Sequence, residues 1–416
     1  MTAEQHMLQL TATEAAPAAV ELYNPRHVHE RSADIGRLSL EGFTVMEAVD
    51  SPWEDVRTKL EARIVSQPAA IGAVVEALEG STVRMPDDKR PVATLAFLGP
   101  TGVGKSETAK TLAEAIDGNK KLVKIDCSDY SHGHEVASLT GSPVGYVGYG
   151  QTPVLNKERI EGYGTVVLFD EIEKGSEELY NLMLQIMEDG ELQLKNGQTT
   201  NFRDAIIILT SNLGAKEMAA QLSDTPLGFA GRNRQVSTDQ LDEVATKSFK
   251  EFFRPEFINR LSKMVVFHPL DRDALGQVLD TKLAQTNEAY EQELGARVSI
   301  SAGVRDYLVE LAAAEPHLGA RPLVRALDNH VYTTFGRYWG AGAIPEGTHV
   351  KVFHRSEVGD ITTADSSSLV FTSKPDGSIR KRVPARNVLA VPFSDITSPP
   401  PEAVEREEDE PGPEEE

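Results

Sequence analysis

Over 416 residues the chain holds a single cysteine, Cys127. One thiol cannot build an internal disulfide framework, so the fold must be held by its core, and a reducing compartment fits. No apolar run reaches the about 18 residues that suggest a membrane-spanning helix. Residues 1–20 show no basic start followed by an apolar block, so no secretory signal is expected. Together these absences predict a cytoplasmic protein without a membrane partner. Cationic charge is scarce as well: 42 Lys and Arg face 64 Asp and Glu, a net charge of −22. Nucleic-acid binding draws on Lys and Arg to displace counterions, so this balance disfavours a general nucleic-acid partner. The deficit is uneven, because residues 401–416 carry nine acids against one Arg and read as a solvated, disordered Pro- and Glu-rich tail.

The chain does hold 40% apolar residues, enough for a real core, and one stretch organises it. Gly99-Pro100-Thr101-Gly102-Val103-Gly104-Lys105-Ser106 fits G-x-x-x-x-G-K-[ST]. The apolar run Val92 to Leu98 reads as a buried strand leading in, and Glu107 to Ile116 reads as a helix leading out. Glycines let backbone N–H groups wrap phosphates, and the helix N-terminus adds partial positive charge beneath them. In such a loop Lys105 can reach the β- and γ-phosphates of a nucleotide, and the Ser106 hydroxyl can ligate Mg²⁺. Cys127, just after the apolar Leu122-Val123-Lys124-Ile125, reads as packing rather than as a reactive thiol.

A second buried strand, Thr165 to Phe169, ends in Asp170-Glu171. Ligands of open α/β sheets bind at that edge of the strands. Asp170 can hold Mg²⁺ through water, and Glu171 can polarise the attacking water. A third, Ala205 to Thr210, ends in Ser211-Asn212, which sets an amide between the other two strand ends. Three strands converging on one site predict an NTPase, with Lys105, Glu171 and Asn212 in its catalytic set. A helix over Glu177 to Glu188 and a hairpin about Asn196-Gly197 lie between them.

Elsewhere the pattern is plainer. Residues 1–50 form an extension of weak periodicity in which His27-Val28-His29-Glu30 lacks a complementary metal-ligand pair. Trp53, Val56, Leu60 and Ile64 mark an amphipathic helix, and Ala69 to Leu78 another. Helices are expected over Leu275–Leu294, Val304–Ala314 and Arg321–Tyr338, with a closing strand at His349–Phe353. His132 and His134 read as loop residues. The expected class is therefore α/β: a doubly wound parallel-sheet domain over 51–268, a smaller, mostly helical domain over 269–355, and an extension over 356–416.

Six stretches taken together resemble a known family: FLGPTGVGKS, GYVGYG, VVLFDEIEK, FRDAIIILTSN, FRPEFINR and GARPLVRAL, in that order. From about Trp53 to Phe353 the chain resembles the second ATPase module of the Clp-type AAA+ unfoldases, the ClpA, ClpB and ClpC group. The resemblance implies a ring, usually a homo-hexamer, that binds ATP between subunits and threads protein substrates through its centre. It implies a γ-phosphate sensor at Asn212, a second sensor at Arg321 and an adenine-side segment at Ile64-Val65-Ser66-Gln67, where the family commonly has Gly at the place of Ser66. It implies that Arg260 is an arginine finger reaching a neighbouring subunit's ATP; from the bare sequence an Arg capping a helix would be expected there. Tyr146 and Val147 would form the pore loop that grips polypeptide.

Leu227-Gly228-Phe229 falls where ClpA- and ClpC-like proteins dock on the ClpP peptidase, although such a tripeptide can also tether a loop. ClpB-like proteins lack that loop. Three readings thus stand beside one another. They are an unfoldase coupled to a ClpP-type peptidase and adaptors, a ClpB-like remodeller, and an AAA+ scaffold or nucleic-acid-complex remodeller. Full-length relatives usually add a Clp N-domain and a first ATPase module, whereas this sequence shows one phosphate loop.

Overall fold

The computed structural model describes residues 51, 53–82, 89–117, 121–141, 152–223, 237–358, 368–376 and 378–379. Tyr146, Val147, Leu227, Gly228, Phe229, residues 1–50 and the acidic tail lie outside them. The chain divides into two compact units, 1–275 with 312–322, and 276–311 with 323–416.

In the first unit, β1 (Ala93–Leu98), β2 (Leu122–Asp126), β3 (Val166–Asp170), β6 (Ile206–Ser211) and β7 (Lys263–Val266) form a sheet of order β2-β3-β6-β1-β7. All four pairings are parallel. Every residue of β1 and β6 is buried, which explains their unbroken apolar runs: helices cover both faces of such a sheet. Alternation along the strands divides the core in two. Ala96, Leu98, Val167, Phe169, Ile207 and Leu209 face one side, packed with Leu179, Met183, Ile186 and Phe249. Leu95, Phe97, Val166, Leu168, Ile206 and Ile208 face the other, packed with Val56, Leu60, Val74 and Leu112. Each buried Val, Leu, Ile, Met or Phe among them contributes about 1.5–3 kcal/mol, so the central strands are well anchored and their ends suit catalytic placement.

The helices follow the expected periodicities. Glu54–Glu61 buries Val56 and Leu60. Pro68–Thr82 starts at the proline and runs one turn past the expected Leu78. Glu177–Asp189 is capped by the Ser176 hydroxyl and stopped by left-handed Gly190. The hairpin expected about Asn196-Gly197 is β4 (Glu191–Gln193) paired with β5 (Thr199–Asn201). Cys127 is fully buried and its thiol is pushed far above the ordinary range by that burial, as an inert packing group should be. The helix Thr238–Phe252, opened by a Ser237/Gln240 capping box, and the four-residue β7 escaped the sequence reading.

In the second unit, helices accompany a three-stranded sheet. β8 (Ala296–Ile300) runs parallel to β9 (Thr348–His354), and β10 (Leu369–Pro375) runs antiparallel to it. The closing strand is present, but with two partners. The single helix expected over Arg321–Tyr338 is Arg321–Leu327, a π-helical turn Asp328–Tyr332 and Thr333–Gly340. Phe335 is buried there and stacks on Tyr290 at 5.1 Å between ring centroids. Among the described residues no helix is long and apolar enough to cross a membrane.

Candidate active site

The loop Gly99–Gly104 leaves the C-terminal end of β1, and the helix Lys105–Asp117 starts at once behind it. Gly99, Gly102 and Gly104 have φ of +132°, +74° and +108°, backbone that residues with a Cβ rarely adopt. Lys105 is 7% exposed. Its Nζ donates to the carbonyls of Gly99 (2.5 Å) and Pro100 (2.7 Å) and to Asn212 Oδ1 (2.9 Å). Burial lowers its pKa to about 8; the charge of Arg321 adds to that, while Glu173, Asp170 and Glu171 oppose it. Val103 is buried, and the Ile64 methyl lies beside Gly104, so the segment Ile64-Val65-Ser66-Gln67 adjoins the loop.

Register brings the other groups in. β1 and β6 pair Leu98 with Ser211, and β3 and β6 pair Phe169 with Leu209. Asn212 therefore follows directly beside the phosphate loop, and Asp170 stands beside Thr210. Asp170 Oδ1 accepts from Ser106 Oγ (3.0 Å) and Thr210 Oγ1 (2.5 Å), and Oδ2 pairs with Lys124 Nζ (2.7 Å). Burial pushes the Asp170 carboxyl up, but the bonds from Lys124, Thr210 and Ser106 outweigh it and hold the carboxyl below its usual range.

Glu171 has left-handed backbone, φ +57°, an unusual state for a residue with a long side chain, costing about 1–3 kcal/mol. Its N–H donates to Thr210 Oγ1 (2.9 Å), which pins the turn. Its carboxylate accepts from Asn212 Nδ2 (3.4 Å) and Ser128 Oγ (3.5 Å) and pairs with Lys174. Glu173 Oε1 accepts from the Asn212 N–H (3.0 Å), and Thr101 Oγ1 lies 3.4 Å from Asn212 Oδ1.

The sequence argument therefore names residues that do meet: Gly99–Ser106, Asp170, Glu171 and Asn212. It missed Lys124, Ser128, Glu173, Lys174 and Thr210. Only Thr210, a hydroxyl on a buried strand end, carried a readable signal; the others acquire meaning from pairings across the sheet or within the turn.

The two arginines differ. Arg321 acts on Lys105 through its charge, and the adjacent Ala320 N–H donates to Gly102 O at 2.9 Å. Arg260 is elsewhere: it bonds Glu188 at 2.6 Å and lines an open cleft of about 470 Å³ with Val92, Thr94, Ser262 and Lys263. Those residues mark the beginnings of β1 and β7, whereas the phosphate loop follows the end of β1. From Thr94 to Leu98 the strand advances about 13 Å at its usual rise.

A cationic phosphate loop, a serine hydroxyl beside a carboxylate, and a second carboxylate held by an amide define a P-loop NTPase site. Two families match the chain: "AAA domain (Cdc48 subfamily)" over residues 90–264, and "C-terminal, D2-small domain, of ClpB protein" over 270–352. The chaperone protein ClpB of Meiothermus ruber is 38% identical over 298 residues, covering 71% of this chain and 33% of that protein. The probable chaperone protein ClpB 1 of Chlorobaculum tepidum is 36% identical over 301 residues, covering 71% of this chain and 67% of that protein. A closed-state cryo-EM reconstruction of Hsp104 with ATPγS and FITC casein superposes with a TM-score of 0.62 at 26% identity, over 83% of this chain and 54% of that one. The chain belongs to the Clp-type AAA+ ATPase family. It spans about a third of the length of several of the curated relatives it matches.

Proposed function

We propose that this protein is the subunit of an ATP-driven, Clp-like ring that unfolds protein substrates by threading them through its centre. The observation that carries the reading is the convergence of three strand ends, bearing Lys105 with Ser106, Asp170 with Glu171, and Asn212, at one half-buried edge. Backbone N–H groups of Gly99–Gly104 and the Lys105 ammonium bind the phosphates, and Ile64–Gln67 lies against the base. Glu171 takes the proton of the attacking water, and Asn212 orients both that water and the γ-phosphate. Ser106 and Asp170 offer the hard oxygen donors that Mg²⁺ prefers, and both already share one hydrogen bond. When bound, Mg²⁺ would neutralise charge developing on the phosphates.

Arg260 lies too far along β1 to serve its own subunit's nucleotide. That distance supports an oligomer, taken here as a homo-hexamer, in which Arg260 completes the neighbour's site and Arg321 completes its own. Tyr146 and Val147 grip the substrate. Leu227-Gly228-Phe229 is the docking loop for a ClpP-like peptidase, and adaptor proteins select substrates.

The test is ATP-dependent unfolding of a tagged fluorescent protein. Tyr146→Ala is expected to lose unfolding and keep ATP hydrolysis. Glu171→Gln is expected to lower hydrolysis about 10²- to 10⁴-fold and trap substrate. Unfolding that survives Tyr146→Ala would rule out threading, and hydrolysis that survives Glu171→Gln would rule out the assigned base.

A further inference from the structure

The phosphate loop is approached by main chain from two directions that phosphate binding alone does not require. On one side, a Cβ at Gly99 would stand 2.3 Å from the Phe267 carbonyl oxygen, and the Phe267 N–H donates to Leu98 O at 2.8 Å. On the other, a Cβ at Gly102 would stand 2.2 Å from the Leu318 carbonyl oxygen, and the Ala320 N–H donates to Gly102 O at 2.9 Å. The second approach is reciprocal. Gly319 has φ +58°, and a Cβ there would stand 2.6 Å from Thr101 O and 2.7 Å from Gly102 C and O. Every atom in these close approaches is backbone, so a side chain could be accommodated only by parting the segments.

A third contact joins the base-side segment to the same region. Gln67, 2% exposed, donates to His268 O at 2.9 Å and accepts from the His268 N–H at 3.0 Å. In sequence, Phe267-His268 and Leu318–Ala320 flank residues 276–311, the first part of the second compact unit. The chain passes between the units at 275–276, 311–312 and 322–323, so one segment precedes the first passage and the other lies between the last two. Both segments are bonded to backbone or a buried side chain that borders the nucleotide site.

We propose that Gly319 is a positioning residue of the ATPase site. It lets Leu318–Ala320 lie directly on the phosphate loop, and through the Ala320–Gly102 hydrogen bond the loop's main chain sets where Arg321 stands relative to Lys105. Phosphate binding, which fixes the loop's N–H groups, would thereby also fix Gly102 O and the Ala320 amide bonded to it. The guanidinium supplies charge, and the glycine supplies its address. This rests on the reading that ATP binds at residues 99–106.

A double-mutant cycle on the full chain tests it, with dissociation constants for fluorescent ADP and ATP analogues and kcat and KM for hydrolysis. Gly319→Ala is expected to weaken the ATP analogue about five- to twentyfold and ADP less than about twofold, because Arg321 answers to the terminal phosphate. In an Arg321→Ala background, Gly319→Ala is expected to cost less than about a further twofold. Equal weakening of ADP and ATP, or an undiminished loss in the Arg321→Ala background, would overturn the positioning role. Hydrogen exchange in the unsubstituted chain guards against a variant that fails to fold: the ATP analogue should change protection of the Ala320 amide, and an unchanged amide overturns the proposal. If the unsubstituted chain binds no ATP, the nucleotide reading falls along with this one. Binding with an additive cycle sinks this one alone.

Discussion

Arg321 and Arg260 carry the same guanidinium and stand in opposite circumstances. Arg321 begins a helix directly after a glycine-mediated contact with the phosphate loop, and its charge is felt by Lys105. Arg260 follows the short helix Pro255–Ile258 at the other edge of the sheet, where Glu188 holds it. Its approach is built from aromatic packing. Phe253, buried, sits 4.6 Å from Phe249, 4.8 Å from Phe257 and 5.4 Å from Tyr180 between ring centroids. One arginine follows a main-chain contact with the phosphate loop, and the other is held by Glu188 beside the beginnings of β1 and β7. Under the proposed function such a split site is complete only when copies assemble, and hydrolysis then reports assembly as well as chemistry.

The sharpest way to break that contrast is Arg260→Ala. Hydrolysis by the assembled protein should fall about 10³-fold or more, the range typical of arginine fingers, with nucleotide affinity of separate subunits unchanged. Mixing Arg260→Ala with Glu171→Gln subunits should restore part of the activity, because each contributes what the other lacks. No recovery in the mixture would mean that both residues act within one subunit, against the distance along β1.

A smaller effect separates Lys105 from both arginines. Its pKa of about 8, against an ordinary 10.5, means the free site loses this charge as pH rises through 8. Bound phosphate favours the charged form, so nucleotide affinity should be flat near neutrality and fall above pH 8, by up to about tenfold per pH unit. Fold stability has the opposite sign over the same window. Between about pH 8 and 10.5 the unfolded chain binds the proton that the folded chain has released, so this group's contribution rises with pH. Titration with a fluorescent nucleotide from pH 7 to about 9.5, beside thermal melts, reads both. Affinity that is level across that range would contradict the lowered value.

The smallest expected effect concerns Ser66, exposed and left-handed at φ +61°, where Clp relatives commonly have Gly. Ser66→Gly removes a backbone strain of about 1–2 kcal/mol, partly offset by the larger freedom of Gly in the unfolded chain. The melting temperature should rise slightly or stay level, with nucleotide affinity kept. A clear loss of stability would show that the serine makes a contact worth more than the strain.

The site was largely legible in the sequence because its chemistry is local to strand ends. An apolar run followed by Gly-rich turn, Asp-Glu or Ser-Asn states both the strand and the group it presents. β7 and β8 were not legible, since four or five residues such as Lys263–Val266 give no period to read. Lys124 was invisible for another reason. As a half-exposed lysine in a strand it resembles a solvated surface residue, and only the β2–β3 register carries its Nζ to Asp170.

Sequence by itself determined which residues could do phosphate chemistry, and that buried strands would end in them. It did so because apolar periodicity and side-chain chemistry are properties of short stretches. Tertiary structure decided which of two arginines stands with Lys105, what holds Asp170 ionised, and why Gly102 and Gly319 must both lack a Cβ. Those depend on pairings between segments from about 40 to more than 200 residues apart, such as Phe169 with Leu209 and Gly102 with Ala320, whose geometry is fixed only when the parallel register and the packed core are complete.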